Sequence, residues 1–267
     1  MGNKLKYIDF NELKAIQLNI MDQIDSFCRQ NNIKYAIDYG SLIGAVRHKG
    51  FIPWDDDIDI SMPRDDYERF IKTFNALDSP YKVYYESETP EYTFPFAKVC
   101  DIRTIMDEYM YKKRVIGVYV DVFPQDIYEP SSNSIKHVQC LTKISNAKLF
   151  VWSKNRSFFK NFCMSVVKIL LLPIAISQIN KLIYKEASKY NSKKTGYLDC
   201  LVSCDIGLGG IMREELFNNL VDYPFEGRHY LSYQNYDERL KKLYGNYMQL
   251  PPIEKQISHH TYKAWWR

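Results

Sequence analysis

Acid is what one long stretch of this chain lacks. Between Lys136 and Lys194 twelve lysines and arginines stand against a single acid, Glu186, although the whole chain carries a net charge of only +4. So modest a total gives no reason to expect a nucleic-acid partner. A secretory signal is lacking too: "MGNKLKYIDFNELKAIQ" is polar and helical, so the expected location is cytoplasmic, with peripheral residence on the inner face of the membrane. Long apolar runs are missing. The most apolar one, Val166 to Ile176, is interrupted by Lys168 and Pro173 and falls short of the ~20 residues that cross a bilayer. Cysteine lacks pattern: Cys28, Cys100, Cys140, Cys163, Cys200 and Cys204 are scattered, and the last two have no partners at zinc spacing. Reduced thiols are the expectation.

What is there is patterned as mixed structure. Leu13, Ile16, Ile20, Ile24 and Phe27 recur at helical spacing and predict an amphipathic first helix. "IKYAIDY" alternates as a strand ending at Gly40-Ser41, "LIGAVRH" reads as a short helical turn, and "DIDIS" alternates again up to Pro63. "RDDYERFIKTF" puts Tyr67, Phe70, Ile71 and Phe74 on one helical face, with acids at the end where the dipole favours them. "KVYYES", "FPFAKVCD" and "GVYVDVFP" read as three more strands. The expected class is α/β of the α+β kind, a mixed sheet plus a helical, basic lobe. Its expected parts are a core at 1–130, the basic lobe at 131–195 and a C-terminal part at 196–267 packing back on the core. "FCMSVVKILLLPIAISQI" inside the lobe supports two readings. One is a helix pair buried in a core. The other is a hairpin lying on anionic lipid, flanked by Lys154, Arg156, Lys160, Lys181 and Lys185.

The chemistry concentrates in "YGSLIGAVRHKGFIPWDDDIDISMPRDDY", which sets Asp55, Asp56, Asp57 and Asp59 within five positions. In a strand, residues two apart share a face roughly 7 Å apart. Asp55, Asp57 and Asp59 then share one face and Asp56 turns with Ile58 and Ile60 to the other; a strand that begins only at Asp57 leaves Asp55 and Asp56 in the entering loop. Either way Asp57 and Asp59 converge. Two hard carboxylates on a rigid element suit Mg²⁺ or Mn²⁺, where a solvated acidic turn before a helix is the plainer alternative. Gly40 and Ser41, between a strand and a short helix, offer amides and a hydroxyl to a phosphate. Asp121 lies between Val120 and Val122, where an acid is expensive to bury unless paired or metal-bound. Arg47, His48 and Lys49 after the short helix, and Lys98, read as facing outward from its strand, are candidate phosphate cations. Trp54 reads as a packing residue; His259 and His260 read either as closing over the site or as tail.

A Gly-Ser turn, an Asp-x-Asp strand and a third Asp on a neighbouring strand resemble the polymerase-β-type nucleotidyltransferases. "GSLIGAVRHKGFIPWDDDIDISMPRDDYERF", "FAKVCDIRT", "VYVDVFPQD" and "YDERLKKLYGNYMQLPPIEKQISHH" together resemble the LicD family of phosphotransferases, which use that fold. The resemblance covers most of the chain and weakens from about 131 to 195. "DYGSLIG" and "EKQISHH" depart from the family pattern in ways that bear on the substrate held. The resemblance implies a nucleotidyltransferase-like catalytic core that moves a phospho-alcohol, phosphocholine foremost, from a CDP-activated donor such as CDP-choline. The acceptor it implies is a sugar hydroxyl of a surface glycan or its lipid-linked precursor, and CMP leaves. Asp57, Asp59 and Asp121 would hold Mg²⁺ or Mn²⁺, and Asp121 would act as base, as ligand or as both. Gly40, Ser41, Arg47, His48, Lys49 and Lys98 would bind substrate. Two other functions compete: a nucleotidyltransferase moving an NMP and releasing pyrophosphate, and a non-catalytic membrane- or glycan-binding protein. A choline group would want an aromatic box, which 22 tyrosines and 14 phenylalanines permit without showing.

Overall fold

The computed structural model describes residues 6–85, 92–107, 116–152, 156–203, 210–258 and 263–267. Strand β1 (Lys6–Ile8) leads into α1 (Phe10–Asn31), whose first turn is capped by Asp9 accepting from the Glu12 amide. The predicted stripe of α1 is buried, with Leu13, Ile16, Ile20, Ile24 and Phe27 all in the main core. After β2 (Ala36–Ile37) come α2 (Tyr39–His48), β3 (Asp59–Pro63), α3 (Arg64–Thr73), β4 (Tyr81–Tyr84), β5 (Ala97–Asp101), β6 (Thr104–Asp107) and β7 (Tyr119–Ile127). The α+β expectation holds. The central sheet runs β2–β3–β7–β5–β4, with β3 and β7 parallel and the other neighbours antiparallel.

Two sequence readings shift. "IKYAIDY" provides only two paired residues, because Asp38 leaves the strand to cap α2 through the Tyr39 amide. The helix therefore starts at Tyr39 and runs ten residues, so Gly40 and Ser41 lie in its first turn rather than ahead of it. β3 starts at Asp59, so Asp57 belongs to the entering loop.

The chain then builds α4 (Ser134–Lys148), α5 (Phe158–Leu170) and α6 (Ile176–Ala187). α4 and α6 close a separate cluster around Val138, Ile179 and Ile183 with Cys200, Leu201 and Val202, against which Phe96 and Phe123 of the sheet region pack. A buried ion pair ties α3 to β7, and a lobe residue, Asn191, joins it. Arg64 Nε and Nη2 each donate at 2.7 Å to an oxygen of Asp126, and Asn191 Nδ2 donates to the same carboxylate at 2.9 Å. The helical segments are too short or too polar to cross a membrane, among the described residues. β8 (Tyr197–Asp199) then pairs with the end of β7, and β9 (Met212–Arg213) pairs with β8. The hairpin β10 (Leu220–Phe225) and β11 (Arg228–Tyr233) is followed by α7 (Tyr236–Tyr244), which packs on α2. β12 (Lys263–Trp266) closes a small sheet between β1 and β6. Among the described residues, Cys28, Cys140 and Cys163 are free thiols.

Candidate active site

Strand register makes the site. Parallel pairing sets Asp59 opposite Asp121, and antiparallel pairing sets Lys98 opposite the same Asp121. One acid–acid–lysine row thus crosses three neighbouring strands, which lie about 4.8 Å apart. Lys98 Nζ donates to Asp121 Oδ1 at 2.6 Å, with Lys98 itself 2% exposed. The outward orientation read for Lys98 is therefore wrong. It faces inward under aromatic rings, its ammonium 3.4 Å from the centroid of Tyr119, 4.4 Å from Phe94 and 5.4 Å from Phe96. Mixed polarity along "FPFAKVCD" does not tell which side of the strand is covered; the rings come from β7 and from the residues before β5. The pairing expected of a buried Asp121 is met by this lysine.

The acid loop lies over this row. The carboxylates of Asp55, Asp56 and Asp57 lie within 4.8 Å of one another. Burial alternates as a strand would make it, with Asp56, Ile58 and Ile60 buried and Asp55, Asp57 and Asp59 half-buried. The loop is tied from two sides: Gln17 Nε2 of α1 donates to the Asp56 carbonyl at 2.9 Å, and Ser258 Oγ donates to Asp56 Oδ2 at 2.8 Å. Burial, then the charges of Asp57, Asp121 and Asp55, push the Asp59 carboxyl well above the usual carboxylate range, against the opposing pull of Lys98. Carboxylates crowded like this resist full ionisation unless a cation stands among them. The donor set is hard oxygen on a rigid frame, which fits Mg²⁺ or Mn²⁺. Asp55 and Asp56, not singled out as ligands above, belong to this set by proximity.

Helix α2 brings its first turn to the loop. A Cβ on Gly40 would come within 2.9 Å of Asp55 Oδ2, so the glycine lets that carboxylate lie close against the helix start. Ser41 Oγ is buried and accepts from the Asp59 amide at 2.9 Å, so its oxygen positions the acid. Tyr39 holds a left-handed φ of 50°, and its ring meets Phe123 edge-on at 5.4 Å. Such strain persists only where surroundings over-determine it. Here they do. Asp38 accepts from Arg239 Nε at 3.1 Å and Nη2 at 2.9 Å, from Ser61 Oγ at 2.8 Å and from the Tyr233 hydroxyl at 3.1 Å. This buried anchor escaped the sequence reading, although an Asp before "YGSLIG" is an N-cap signal.

The cations at the end of α2 are not brought to the acids. The eight steps from Ser41 to Lys49 rise about 12 Å along a helix, so Arg47, His48 and Lys49 sit at its far end. Arg47 donates to the Tyr247 carbonyl and to His48 Nε2, each at 2.8 Å, and Lys49 is exposed. Burial, then Arg47, lowers the His48 pKa, which keeps its ring neutral. Trp54 packs against the cluster around Leu42 and Tyr233, as expected. His259 and His260 lie outside the described residues.

Residues 32–169 match the family model described as LicD/FKTN/FKRP, nucleotidyltransferase domain. Over 272 aligned residues the chain is 34% identical to the lipopolysaccharide cholinephosphotransferase LicD of Haemophilus influenzae, covering 98% of this chain and 99% of that protein. The chain belongs to the LicD family. Two uncharacterised rickettsial proteins share shorter stretches: that of Rickettsia typhi is 30% identical over 129 residues, 47% of this chain and 39% of its own length. That of Rickettsia prowazekii is 32% identical over 120 residues, 43% of this chain and 41% of its own length. The family match takes in α2, the acid loop, β3, β5 and β7, and with them every residue of the Lys98–Asp121–Asp59 row. An aromatic wall stands beside that row in this LicD-family chain. Phe94 lies 5.5 Å from Phe96, and Phe96 lies 4.5 Å from Phe123, all three half-buried.

Proposed function

We propose that this chain is an enzyme that transfers phosphocholine from CDP-choline to a hydroxyl of a lipopolysaccharide-type glycan carried on lipid, releasing CMP. The observation that carries the reading is the Lys98–Asp121–Asp59 row with the acid loop above it. A bond forms from the acceptor oxygen to the choline-bearing phosphorus, the bond from that phosphorus to the CMP oxygen breaks, and the acceptor proton passes to Asp121. Lys98 holds Asp121 in place and limits the cost of keeping it ionised. Asp57, Asp59 and Asp121, with Asp55 near, would hold Mg²⁺ or Mn²⁺, which when bound would supply charge neutralisation for the donor diphosphate. The amides of Gly40 and Ser41, in the unpaired first turn of α2, face donor phosphate. The wall of Phe94, Phe96 and Phe123 suits a quaternary ammonium, which rings attract through their faces. This aromatic surface is the support for choline over ribitol or glycerol. A lipid-carried acceptor places the work at a membrane surface, on the cytoplasmic side if the CDP-linked donor is used where it is made.

The test is incubation of the purified chain and Mg²⁺ with CDP-choline, CDP-ethanolamine, CDP-ribitol and CDP-glycerol, following CMP. CMP released fastest from CDP-choline supports the reading. Release of pyrophosphate from a nucleoside triphosphate, with no CMP from any CDP-linked donor, would replace it with nucleotide transfer.

A further inference from the structure

Helix α5 is built the wrong way round for a helix in water. Of its thirteen residues only Asn161 is buried. Phe158, Phe162, Val166, Ile169 and Leu170, spaced to form one stripe, are exposed, Phe158 to 74% and Leu170 to 72%. Polar contacts help hold the helix down. Lys168 Nζ donates to the Phe150 carbonyl at 2.7 Å, and Lys148 Nζ of α4 donates to the Leu171 carbonyl at 2.9 Å. Asn161 Nδ2 donates to the Arg156 carbonyl at 3.3 Å. Leu172 and Ile174 in the following turn, and Val151 and Trp152 before the helix, extend the apolar surface. Scattered exposed hydrophobics are ordinary, but a contiguous face of this kind marks an interaction site.

Beside the stripe, α4 and α5 enclose an open groove of about 910 Å³. Phe150, Phe159 and Met164 are among its apolar lining, and among the described residues its charged lining is Lys143, Arg156 and Lys160, with no acid. An apolar floor with a purely cationic rim complements an amphiphile with an anionic head. The surrounding segment repeats that preference, with Glu186 as its one acid against twelve cations. Since no described helix crosses a bilayer, contact with lipid at this face is interfacial.

We propose that the α4–α5 groove and the outer stripe of α5 dock on the anionic lipid surface of a membrane. Phe158, Phe162, Ile169 and Leu170 enter the acyl boundary, and Lys143, Arg156 and Lys160 engage headgroup phosphates. This deepens the reading above, on which its purpose rests. The lobe shares Phe96 and Phe123 with the catalytic face, so docking sets the acid row close to a lipid-carried acceptor.

The experiment uses the full chain with phosphatidylglycerol-rich vesicles, pure phosphatidylcholine vesicles and no vesicles, while CMP release from CDP-choline is followed in the same preparations. Expected is sedimentation with the anionic vesicles that fades as salt rises. Lys143→Glu/Arg156→Glu/Lys160→Glu should weaken it on the order of 10²-fold, at about a fivefold factor per cation, with CMP release unchanged. Phe158→Ser/Phe162→Ser should weaken it as well, through the apolar term. Equal recovery with both vesicle types, or with neither, would overturn the docking site while leaving the transferase reading standing. Intact docking without CMP release would do the reverse. A concentration-dependent dimer in light scattering, abolished by Phe162→Ser and indifferent to lipid, would assign the face to a second copy of the chain and overturn the proposal.

Discussion

Helices α1 and α5 both carry an apolar stripe at helical spacing, yet α1 puts Leu13, Ile16, Ile20, Ile24 and Phe27 into the core while α5 turns its stripe outward. Their polar residues reverse in the same way. In α1 the buried Gln17 reaches out to hold the acid loop and the Tyr119 carbonyl, so the core helix also positions chemistry. In α5 the buried Asn161 ties the helix to its own lead-in. Periodicity reports that a helix has two faces; it does not report which one meets protein. That depends on what the chain offers opposite. The sheet gives α1 the apolar side chains of β5 and β7, whereas among the described residues α5 packs chiefly on α4.

The comparison breaks first in stability. Ile24→Ala removes a fully buried side chain and should cost about 2–5 kcal/mol. Arg239→Ala should cost about 3–5 kcal/mol, because it leaves Asp38 charged at 0% exposure with only neutral partners. Urea unfolding measures both. A loss under about 1 kcal/mol for Arg239→Ala would mean that the start of α2 is not pinned by this pair.

Catalysis should divide along the same line. Asp59→Asn and Asp121→Asn each keep shape and lose charge, and should lower CMP release by about 10²- to 10³-fold with folding intact. EDTA should abolish release and Mg²⁺ or Mn²⁺ restore it, whereas Lys143→Glu in the lobe should leave it unchanged. Near-normal turnover for Asp59→Asn would remove that acid from the reaction.

Much of this was readable in residues. The α1 stripe, the α3 face and the three strands around Asp121 follow from periods of 3.6 and 2, and "GFIPWDDDIDI" marked the acids. Alternation even survives the loss of the strand at Asp57, since burial there follows parity. What stayed hidden depends on register. That Lys98 stands opposite Asp121 is a property of how β5 pairs with β7, and a lone strand sequence does not contain it. The Asp38–Arg239 pair spans 201 positions, beyond any local pattern. Arg47, His48 and Lys49 stand apart from Ser41 despite their nearness in sequence, because Ser41 lies in the first turn of a ten-residue helix and they lie at its other end.

At the junction of the two regions, Asp199 gives a pH test. Burial foremost raises its carboxyl to about 7, opposed by Arg239. The folded state then holds a proton that the unfolded state has released above about pH 4. Stability therefore falls as pH rises from about 4 to about 7, by at most about 1.4 kcal/mol per pH unit. Asp199→Asn should flatten that slope in thermal melts and gain most over the wild type above pH 7. Parallel melting profiles for the two proteins would show that Asp199 ionises normally.

The smallest expected effect is the sharpest for the comparison. Phe162→Ser in α5 deletes a large ring, as Ile24→Ala deletes a buried branch in α1. But Phe162 is 54% exposed, so its removal uncovers little new surface and leaves no cavity. Surface changes of this kind lie within about 0.5 kcal/mol. Urea midpoints of the free chain should therefore be nearly superimposable with the wild type. A loss of about 2 kcal/mol or more would mean that Phe162 is covered in solution, and α5 would then resemble α1 after all.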